Sequence, residues 1–254
     1  MTAGNERLIG DKLAEVIGLL SEVDSVELKV TVPDSVRRSA VGALELDPLE
    51  GQLRQVWFFD TPELALERAG VVVRARRTQG RSDDSVVKLR PVVPSELPAE
   101  LRASPTFKTE IDMLPGGFVC SGSLRTDHKG SRVREALAGQ RPMKDLWSKE
   151  QRRFYKAHAP AGITMDDLTP LGPVNVFKLK WTPTSYDRKL VAELWLYPDA
   201  TNILELSTKC QPHEALTVGL SARAFLESRG LDLSGEQRTK TRTALELFAR
   251  ELAP

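Results

Sequence analysis

Apolar and polar residues alternate along much of the chain with the period of two that is typical of β-strands. In the segment 25–33, which ends at Pro33, every second residue from Val26 to Val32 is valine or leucine, and the residues between them are polar. Successive side chains of a strand point to opposite faces, so this segment has one apolar and one polar face. The same criterion predicts strands at 52–59, 71–78, 85–92, 107–114, 174–181, 190–197 and 203–209, with less regular candidates at 151–157 and 163–168.

Apolar positions at helical spacing predict helices at both ends of the chain. They lie at 5–22, 212–229 and 236–251, and shorter helices are predicted at 36–44 and within 131–149. Another short helix should follow Asp60 and end near Gly70, because Asp60 suits an N-cap and Pro62 suits an early helical position. Residues 116–130, rich in glycine and serine, are predicted to be a loose connection. This pattern indicates an α+β fold with a large, mostly antiparallel sheet.

The composition sets limits on the function. The 254 residues include 35 acidic and 36 basic ones, so the whole chain has no net field that would attract nucleic acid or a membrane. No apolar run approaches the roughly 18 residues of a membrane span, and the N-terminus does not resemble a signal peptide. We therefore expect a cytoplasmic protein with reduced thiols and with no membrane or nucleic-acid partner. Glycine-rich nucleotide motifs and a nucleophile elbow are missing from the sequence, and its three histidines lack metal-ligand spacing.

The polar faces of several predicted strands carry repeated charges. Such pairs, two residues apart, are Arg74 with Arg76, Lys88 with Arg90, Lys178 with Lys180, Glu110 with Asp112, and Glu205 with Ser207 and then Lys209. Any one of these strands also fits the solvated face of an ordinary antiparallel sheet, and we expect this for the pair Lys178 and Lys180. If the other faces converge, they form a cavity whose like charges need an anion and metal ions to neutralise them. A polyphosphate with divalent cations is the natural content of such a cavity.

The order of these residues resembles that of the triphosphate tunnel metalloenzymes, also called the CYTH superfamily. The resemblance is strong over residues 25–112 and patchy over residues 150–242. In the first region it rests on Glu27-Leu28-Lys29, Phe58-Phe59-Asp60-Thr61-Pro62, Arg74-Ala75-Arg76, Lys88-Leu89-Arg90 and Glu110-Ile111-Asp112. In the second it rests on Arg152-Arg153, Asp166-Asp167 and Thr239-Lys240-Thr241-Arg242. Each motif alone is weak, but the ordered set is fairly specific.

The resemblance implies an antiparallel eight-stranded β-barrel, a triphosphate tunnel, flanked by helices. Residues 24–254 would form this single domain with its C-terminal helices, and residues 1–23 would be a separate amphipathic helix. The implied substrate-binding residues are Lys29, Arg74, Arg76, Lys88, Arg90, Arg152, Arg153, Lys209 and Lys240. The implied ligands of Mg²⁺ or Mn²⁺ are Glu27, Glu110, Asp112, Asp166, Glu193 and Glu205, and no catalytic residue is assigned apart from them.

Two serines depart from the family's pattern. The family's first motif is Glu-x-Glu-x-Lys, and Ser25 occupies its first position here. A later Glu-x-Glu pair corresponds to Glu205-Leu206-Ser207, so that one acid is again replaced by serine, although Glu193 could compensate if it faces the cavity. Serine is a poor primary ligand for Mg²⁺ because it is neutral. A metal site could therefore be lost, and hydrolysis with it.

The sequence supports three functions. The first is a metal-dependent hydrolase of inorganic triphosphate or of a small organic triphosphate. The second is a non-catalytic module that binds inorganic polyphosphate or a phosphorylated ligand, which the two serines favour. The third is an adenylyl cyclase of class IV type, although no sequence element that would recognise adenine is visible.

Overall fold

Nine strands form a closed β-barrel in the computed structural model, which describes residues 15–231, 233, 237 and 239–252. The strands are β1 (Ser25–Val32), β2 (Gln52–Asp60), β3 (Val71–Thr78), β4 (Asp83–Leu89), β5 (Phe107–Leu114), β6 (Gly117–His128), β7 (Thr169–Trp181), β8 (Leu190–Leu196) and β9 (Asn202–Cys210). The predicted α+β class is confirmed, since helices surround this barrel.

Around the barrel the strands follow the order β1-β5-β6-β4-β3-β2-β7-β8-β9, and β9 pairs with β1 to close the ring. β1 and β5 are parallel, whereas the other neighbouring pairs are antiparallel. The expected eight-stranded antiparallel barrel is therefore wrong in the number of strands and in the direction of one pair. A parallel pair needs a long connection, and here the connection from β1 to β5 contains β2, β3 and β4.

β6 corrects the prediction that residues 116–130 are a loose connection. This strand pairs with β4 on one side and with β5 on the other. Its glycine has a packing role: a Cβ atom at Gly122 would lie 2.6 Å from Cζ of Phe107. The glycine and serine content that indicated a loop therefore leaves room for a neighbouring aromatic ring.

The strands predicted at 151–157 and 163–168 are also wrong. The first is part of the helix α6 (Lys149–His158), which begins with a capping box in which Ser148 and Gln151 exchange hydrogen bonds. Residues 163–168 contain a 3₁₀ turn, Met165–Asp167, closed by a similar exchange between Thr164 and Asp167. Phe154 and Tyr155 are adjacent and both buried, as one face of a helix allows and an alternating strand does not.

The helices agree better with their predictions. They are α1 (15–20), α2 (Arg37–Ala43), α3 (Ala65–Arg68), α4 (Ala99–Arg102), α5 (Arg132–Leu137), α6 (Lys149–His158), α7 (Ala215–Ser228) and α8 (Lys240–Leu252). Residues 5–14 of the predicted first helix, and residues 236 and 238 of the predicted last helix, lie outside the described residues. In the described part of the chain, no helix is both long and apolar enough to cross a bilayer.

Two apolar cores lie between the outer face of the barrel and the helices. One packs α5 and α6 against the wall and contains Phe59, Ile111 and Phe154. The other packs α7 against the wall and contains Leu206 and Phe225. These cores hold the apolar faces of the strands outward, so that their polar faces line the inside of the barrel.

The helix α8 closes one end of the barrel. Its apolar residues pack with Phe58, Val72 and Trp195, which stand on the inner face of the strands. We call this the closed end. At the other, open end, the side chains of Arg125 and Lys209 are 52% and 58% exposed. The barrel therefore encloses a cavity that is apolar at the closed end and charged at the open end.

Candidate functional site

The inner faces of the strands enclose a strongly basic cavity of about 590 Å³. Eleven lysines and arginines line it, against four carboxylates. The basic residues are Lys29, Arg54, Arg74, Arg76, Lys88, Arg90, Lys108, Arg125, Lys178, Lys209 and Lys240. Because so many cations share a confined space, the lining favours a multiply charged anion.

The parallel pairing of β1 and β5 brings three carboxylates together. The register places Ser25 opposite Glu110 and Glu27 opposite Asp112. One oxygen each of Glu27, Glu110 and Asp112 lies within 4.8 Å of the others. We call these three residues the carboxylate cluster.

Lysines surround the carboxylate cluster. Nζ of Lys29 lies 2.8 Å from Oδ1 of Asp112 and 3.2 Å from Oε2 of Glu27. Nζ of Lys88 lies 3.4 Å from Oδ2 of Asp112, and Lys209 forms an ion pair with Glu110. Each acid of the cluster is therefore partly neutralised by a base of the same cavity.

Lysines keep two acids of the cluster, Asp112 and Glu27, ionised. Burial alone would raise the pKa of Asp112, but Lys88 and Lys29 outweigh it and lower the pKa to about 2. Burial likewise opposes the charge of Glu27, yet Lys29 is close enough that the pKa of Glu27 is lowered. At neutral pH both side chains are carboxylates, which is the form that binds cations.

The two serines that depart from the family's pattern contact this cluster. Oγ of Ser25 donates a hydrogen bond of 3.3 Å to Oε2 of Glu110. Oγ of Ser207 donates one of 3.0 Å to Oε1 of Glu27. Where the family pattern has carboxylates, this chain has hydroxyl groups that orient the remaining ones.

Near the open end, three arginines surround one buried acid. Asp84, which is 1% exposed, accepts hydrogen bonds from Nε and Nη2 of Arg76 at 2.8 and 2.6 Å. Arg74 and Arg125 each place an Nη2 atom 3.7 Å from this carboxylate. Burial and the neighbouring Arg76 lower the pKa of Arg74 to about 10. Arg125 also donates from Nε and Nη2 to Oδ1 of Asp127. Two acids thus face three guanidinium groups, so donors such as Nε of Arg74 are available to phosphate oxygens.

At the closed end, Lys240 of α8 lies between two carboxylates. Its Nζ atom is 2.5 Å from Oε2 of Glu193 and 2.6 Å from Oε1 of Glu205, and 5.1 Å from the centre of the Trp195 ring. Glu193 also pairs with Lys178 at 2.6 Å. Burial works against charge here, but Lys240 and Lys178 hold the pKa of Glu193 well below its usual range. Both acids are thus engaged by ammonium groups.

The donor chemistry of the cavity fits one divalent cation at the carboxylate cluster. Three carboxylate oxygens that converge within 4.8 Å suit hard cations such as Mg²⁺ or Mn²⁺. Glu193 also faces the cavity, but among the described residues it does not converge with two further carboxylates, and it shares the ammonium group of Lys240 with Glu205. The convergence of three carboxylates therefore places the fit at Glu27, Glu110 and Asp112 and not at Glu193 and Glu205.

A glycine and a hydrogen bond position Arg90 beside the cluster. Gly70 has a φ of +74°, and a Cβ atom there would lie 2.2 Å from the Arg90 carbonyl oxygen. The Arg90 amide donates a hydrogen bond of 2.8 Å to the Gly70 carbonyl. The close approach requires glycine and ties the start of β3 to the end of β4.

Three residues that the sequence assigned to the site lie elsewhere. Arg152 and Arg153 are exposed on α6, outside the barrel, and Asp166 is exposed in the 3₁₀ turn after it. Lys178 was predicted to lie on a solvated outer face, but in the structure it lines the cavity. Lys180 is exposed, as expected.

Three further residues that line the cavity were missed, Arg54, Lys108 and Arg125, and so was Asp84, which lies behind the arginines. Asp84 falls between the strands predicted at 71–78 and 85–92, and Arg125 falls in the segment predicted to be loose. Arg54 and Lys108 lie on predicted strands, two residues from Val56 and Glu110, and the period of two could have found them.

Comparisons with known proteins support the fold. Protein-family models and curated proteins give no match to the sequence. A putative adenylyl cyclase from Hippeastrum, described as having a dominant triphosphatase activity, has a similar structure with a TM-score of 0.62 and 18% identity. The similarity covers 87% of this chain and 94% of that one. A putative adenylate cyclase from Bacillus halodurans gives a TM-score of 0.59 at 12% identity, over 87% of this chain and 97% of that one. The chain shares the fold of these proteins, as the resemblance in its sequence implied.

Proposed function

We propose that this protein is a metal-dependent hydrolase of inorganic triphosphate or of a small organic triphosphate. One observation carries the proposal: a cluster of three carboxylates lies in the wall of a closed barrel whose charged lining consists mainly of lysine and arginine. The triphosphatase activity described for the Hippeastrum protein, which shares this fold, supports it. We further propose that the chain is a member of the triphosphate tunnel superfamily.

The basic residues of the cavity would bind and orient the substrate. Arg74, Arg76 and Arg125 offer forked donors to one end of the triphosphate, in the manner that guanidinium groups bind phosphate. Lys29 and Lys88, beside the cluster, offer point charges to the phosphate nearest the metal ligands. Binding along this line fixes the substrate before reaction, and such positioning contributes much of the catalysis of phosphoryl transfer.

Glu27, Glu110 and Asp112 would hold Mg²⁺ or Mn²⁺. When bound, the cation would supply charge neutralisation at the phosphate oxygens. Ser25 and Ser207 orient two of the three carboxylates by hydrogen bonds. In the hydrolysis a water oxygen bonds to a terminal phosphorus as the bridging P–O bond breaks. The products are inorganic phosphate and the substrate shortened by one phosphate.

One feature of the cavity favours a second function, binding without turnover. Every acid of the carboxylate cluster already has a lysine partner, and Lys240 occupies the space between Glu193 and Glu205. A cavity neutralised in this way could hold a polyphosphate with little need for metal. The test of hydrolysis therefore also needs a measurement of binding.

The test is the release of phosphate from tripolyphosphate with Mg²⁺, with Mn²⁺ and with a chelator. We expect release that depends on metal and that falls on the order of 100-fold in Glu27→Gln. Glu100→Gln, an exposed change on α4, is the matched control and should have no effect.

Two other results would change the proposal. If no phosphate is released while tripolyphosphate raises the melting temperature, the protein is a binding module. If ATP with Mn²⁺ gives cyclic AMP, it is a cyclase, as its structural neighbours are named.

A further inference from the structure

Charge is unevenly distributed along this nearly neutral chain. Residues 129–156 contain nine lysines and arginines and three carboxylates, although the whole chain has a net charge of only +1. The rest of the chain is therefore net acidic. This segment comprises α5, the turns after it and nearly all of α6. We call the exposed surface of this segment the basic surface.

Most of these cations form no ion pair within the part of the protein that the structure describes. Lys149, Arg152, Arg153 and Lys156 of α6 are all exposed. Of the nine basic residues, Arg141 is the one that forms ion pairs in the part of the chain that the structure describes, with Glu135 and Asp145. Eight cations thus face solvent on one side of the barrel without a carboxylate partner among the described residues.

The basic surface is charged but exposes no large apolar side chain. Its large apolar residues Trp147, Phe154 and Tyr155 are buried, and no large apolar side chain of residues 129–156 is exposed. Insertion into a lipid interface needs exposed apolar residues, and binding of single-stranded nucleic acid usually includes stacking on aromatic rings. Residues 129–156 provide neither exposed large apolar residues nor exposed aromatic rings. The chemistry that remains is contact with phosphate groups through lysine and arginine.

The basic surface adjoins the open end of the cavity. Thr106, which lines the cavity, donates a hydrogen bond of 3.0 Å from Oγ1 to Oε2 of Glu150. Nε2 of Gln151 donates to the carbonyls of Ser85 and Leu124, which fixes the start of α6 on the barrel wall. Lys149, the first residue of α6, is therefore next to the open end of the cavity.

We propose that the basic surface is a second binding site, for inorganic polyphosphate chains that are longer than the cavity holds. One end of such a chain would enter the open end, and its continuation would lie along α6. This inference rests on the proposed function only in that the cavity takes the terminal phosphates. It gives Arg152 and Arg153 a role in binding phosphate outside the barrel.

The test compares two triple variants in binding to long-chain polyphosphate and to tripolyphosphate. The first is Lys149→Gln with Arg153→Gln and Lys156→Gln, which spares Arg152 because its Nη1 donates to the Lys144 carbonyl. The control is Arg38→Gln with Arg223→Gln and Arg250→Gln, which removes three exposed helical cations from other faces. Both variants change the net charge equally, so a difference between them reports on position.

We expect the first variant to bind long-chain polyphosphate about tenfold or more weakly at roughly 0.1 M salt, with a shallower dependence of affinity on salt. Its affinity for tripolyphosphate, and that of the control for both ligands, should stay unchanged. An equal loss in both variants would overturn the proposal, as would an equal loss for both ligands. Competition by duplex DNA at equal charge concentration would show a nucleic-acid surface instead. If tripolyphosphate is not hydrolysed but the expected binding is seen, the proposed function fails and this inference stands.

Discussion

Arg74 shows how a cation inside the cavity differs from a surface one. It is half-buried beside Asp84, and its pKa is lowered to about 10 by burial and by Arg76. Replacing it with methionine removes a desolvated charge, so we expect the fold to be retained. Arg74→Met should weaken the binding of tripolyphosphate by about tenfold to 100-fold, measured by calorimetric titration. Arg38→Met, an exposed change on α2, should leave the affinity unchanged, and an equal loss in both would contradict a site in the barrel.

The number of metal ions follows from single residues. Because three carboxylates converge at the cluster while Glu193 and Glu205 share Lys240, one Mn²⁺ per chain should bind in a calorimetric titration without substrate. Glu27→Gln should weaken this binding at least about tenfold, since it removes one of three anionic ligands. Glu205→Gln should leave the stoichiometry at one. A second ion that is lost in Glu205→Gln would show that Lys240 does not exclude metal from this end of the cavity.

His128 should make the stability depend on pH. It is buried with Nε2 2.9 Å from Oγ of Ser85, and Ser85 donates to the Leu146 carbonyl at 2.6 Å, so Nε2 carries the proton. Nδ1 has no hydrogen-bond partner among the described residues. Burial and the nearby Arg132 lower the pKa of His128, although Asp84 and Asp83 act in the opposite direction.

A histidine whose pKa is lower in the folded state than in the unfolded state favours folding as long as its imidazole ring is neutral. The unfolded state binds the proton more tightly, so this contribution is lost as the pH falls below about 6.5. We expect the melting temperature to fall between about pH 7 and pH 5. His128→Gln keeps a donor for Ser85 but does not titrate, so its melting temperature should fall less over this range. Parallel curves for both proteins would contradict the assignment.

At the scale of elements, the motif Phe58-Phe59-Asp60-Thr61-Pro62 has a structural role. Oδ1 of Asp60 accepts hydrogen bonds from the amides of Thr61 and Leu66, and Oδ2 accepts one from Glu67. The side chain thus joins the end of β2 to α3. Asp60→Ala should lower the free energy of unfolding by about 1–3 kcal/mol in denaturant titration, because three amides lose their acceptor.

Two controls separate structure from catalysis at Asp60. Asp60→Asn keeps one acceptor oxygen and should lose less stability than Asp60→Ala. Turnover per folded molecule should be unchanged in both variants, since Asp60 does not line the cavity. A large loss of turnover in a stable Asp60→Asn protein would show that the motif takes part in the reaction.

Elements with a strict period of two could be predicted from the sequence. β1 and β5 alternate regularly, as does β3 from Val73 to Arg76, and these strands also gave six charged cavity residues, such as Lys29, Arg76 and Asp112. β6 could not be predicted in this way, because Gly122 is needed to make room for Phe107 and its composition is that of a loop. Arg125 was missed with it.

Pairing between distant strands is beyond the reach of local patterns. Nothing in the sequence of β1 or β5 indicates that they are parallel, yet this pairing assembles the carboxylate cluster. The assignment of Arg152 and Arg153 to the site followed from a resemblance that covers residues 150–242 poorly. In the structure, α6 carries both residues outside the barrel.

At the scale of the whole molecule, the barrel separates two kinds of environment. Apolar cores outside it and α8 at its closed end stabilise the fold, and this leaves the interior free to be charged. Crowded cations destabilise a protein unless acids or a ligand compensate for them. Asp84 and the carboxylate cluster compensate in part, and a triphosphate would complete the compensation.

The most direct test of this account is phosphorus NMR of tripolyphosphate during incubation with the protein and Mg²⁺ or Mn²⁺. We predict that the tripolyphosphate signals decay while those of pyrophosphate and inorganic phosphate grow in equal molar amounts. The decay should stop on addition of a chelator and be absent in Glu27→Gln. Tripolyphosphate signals that persist unchanged with the wild-type protein and either metal would contradict the account.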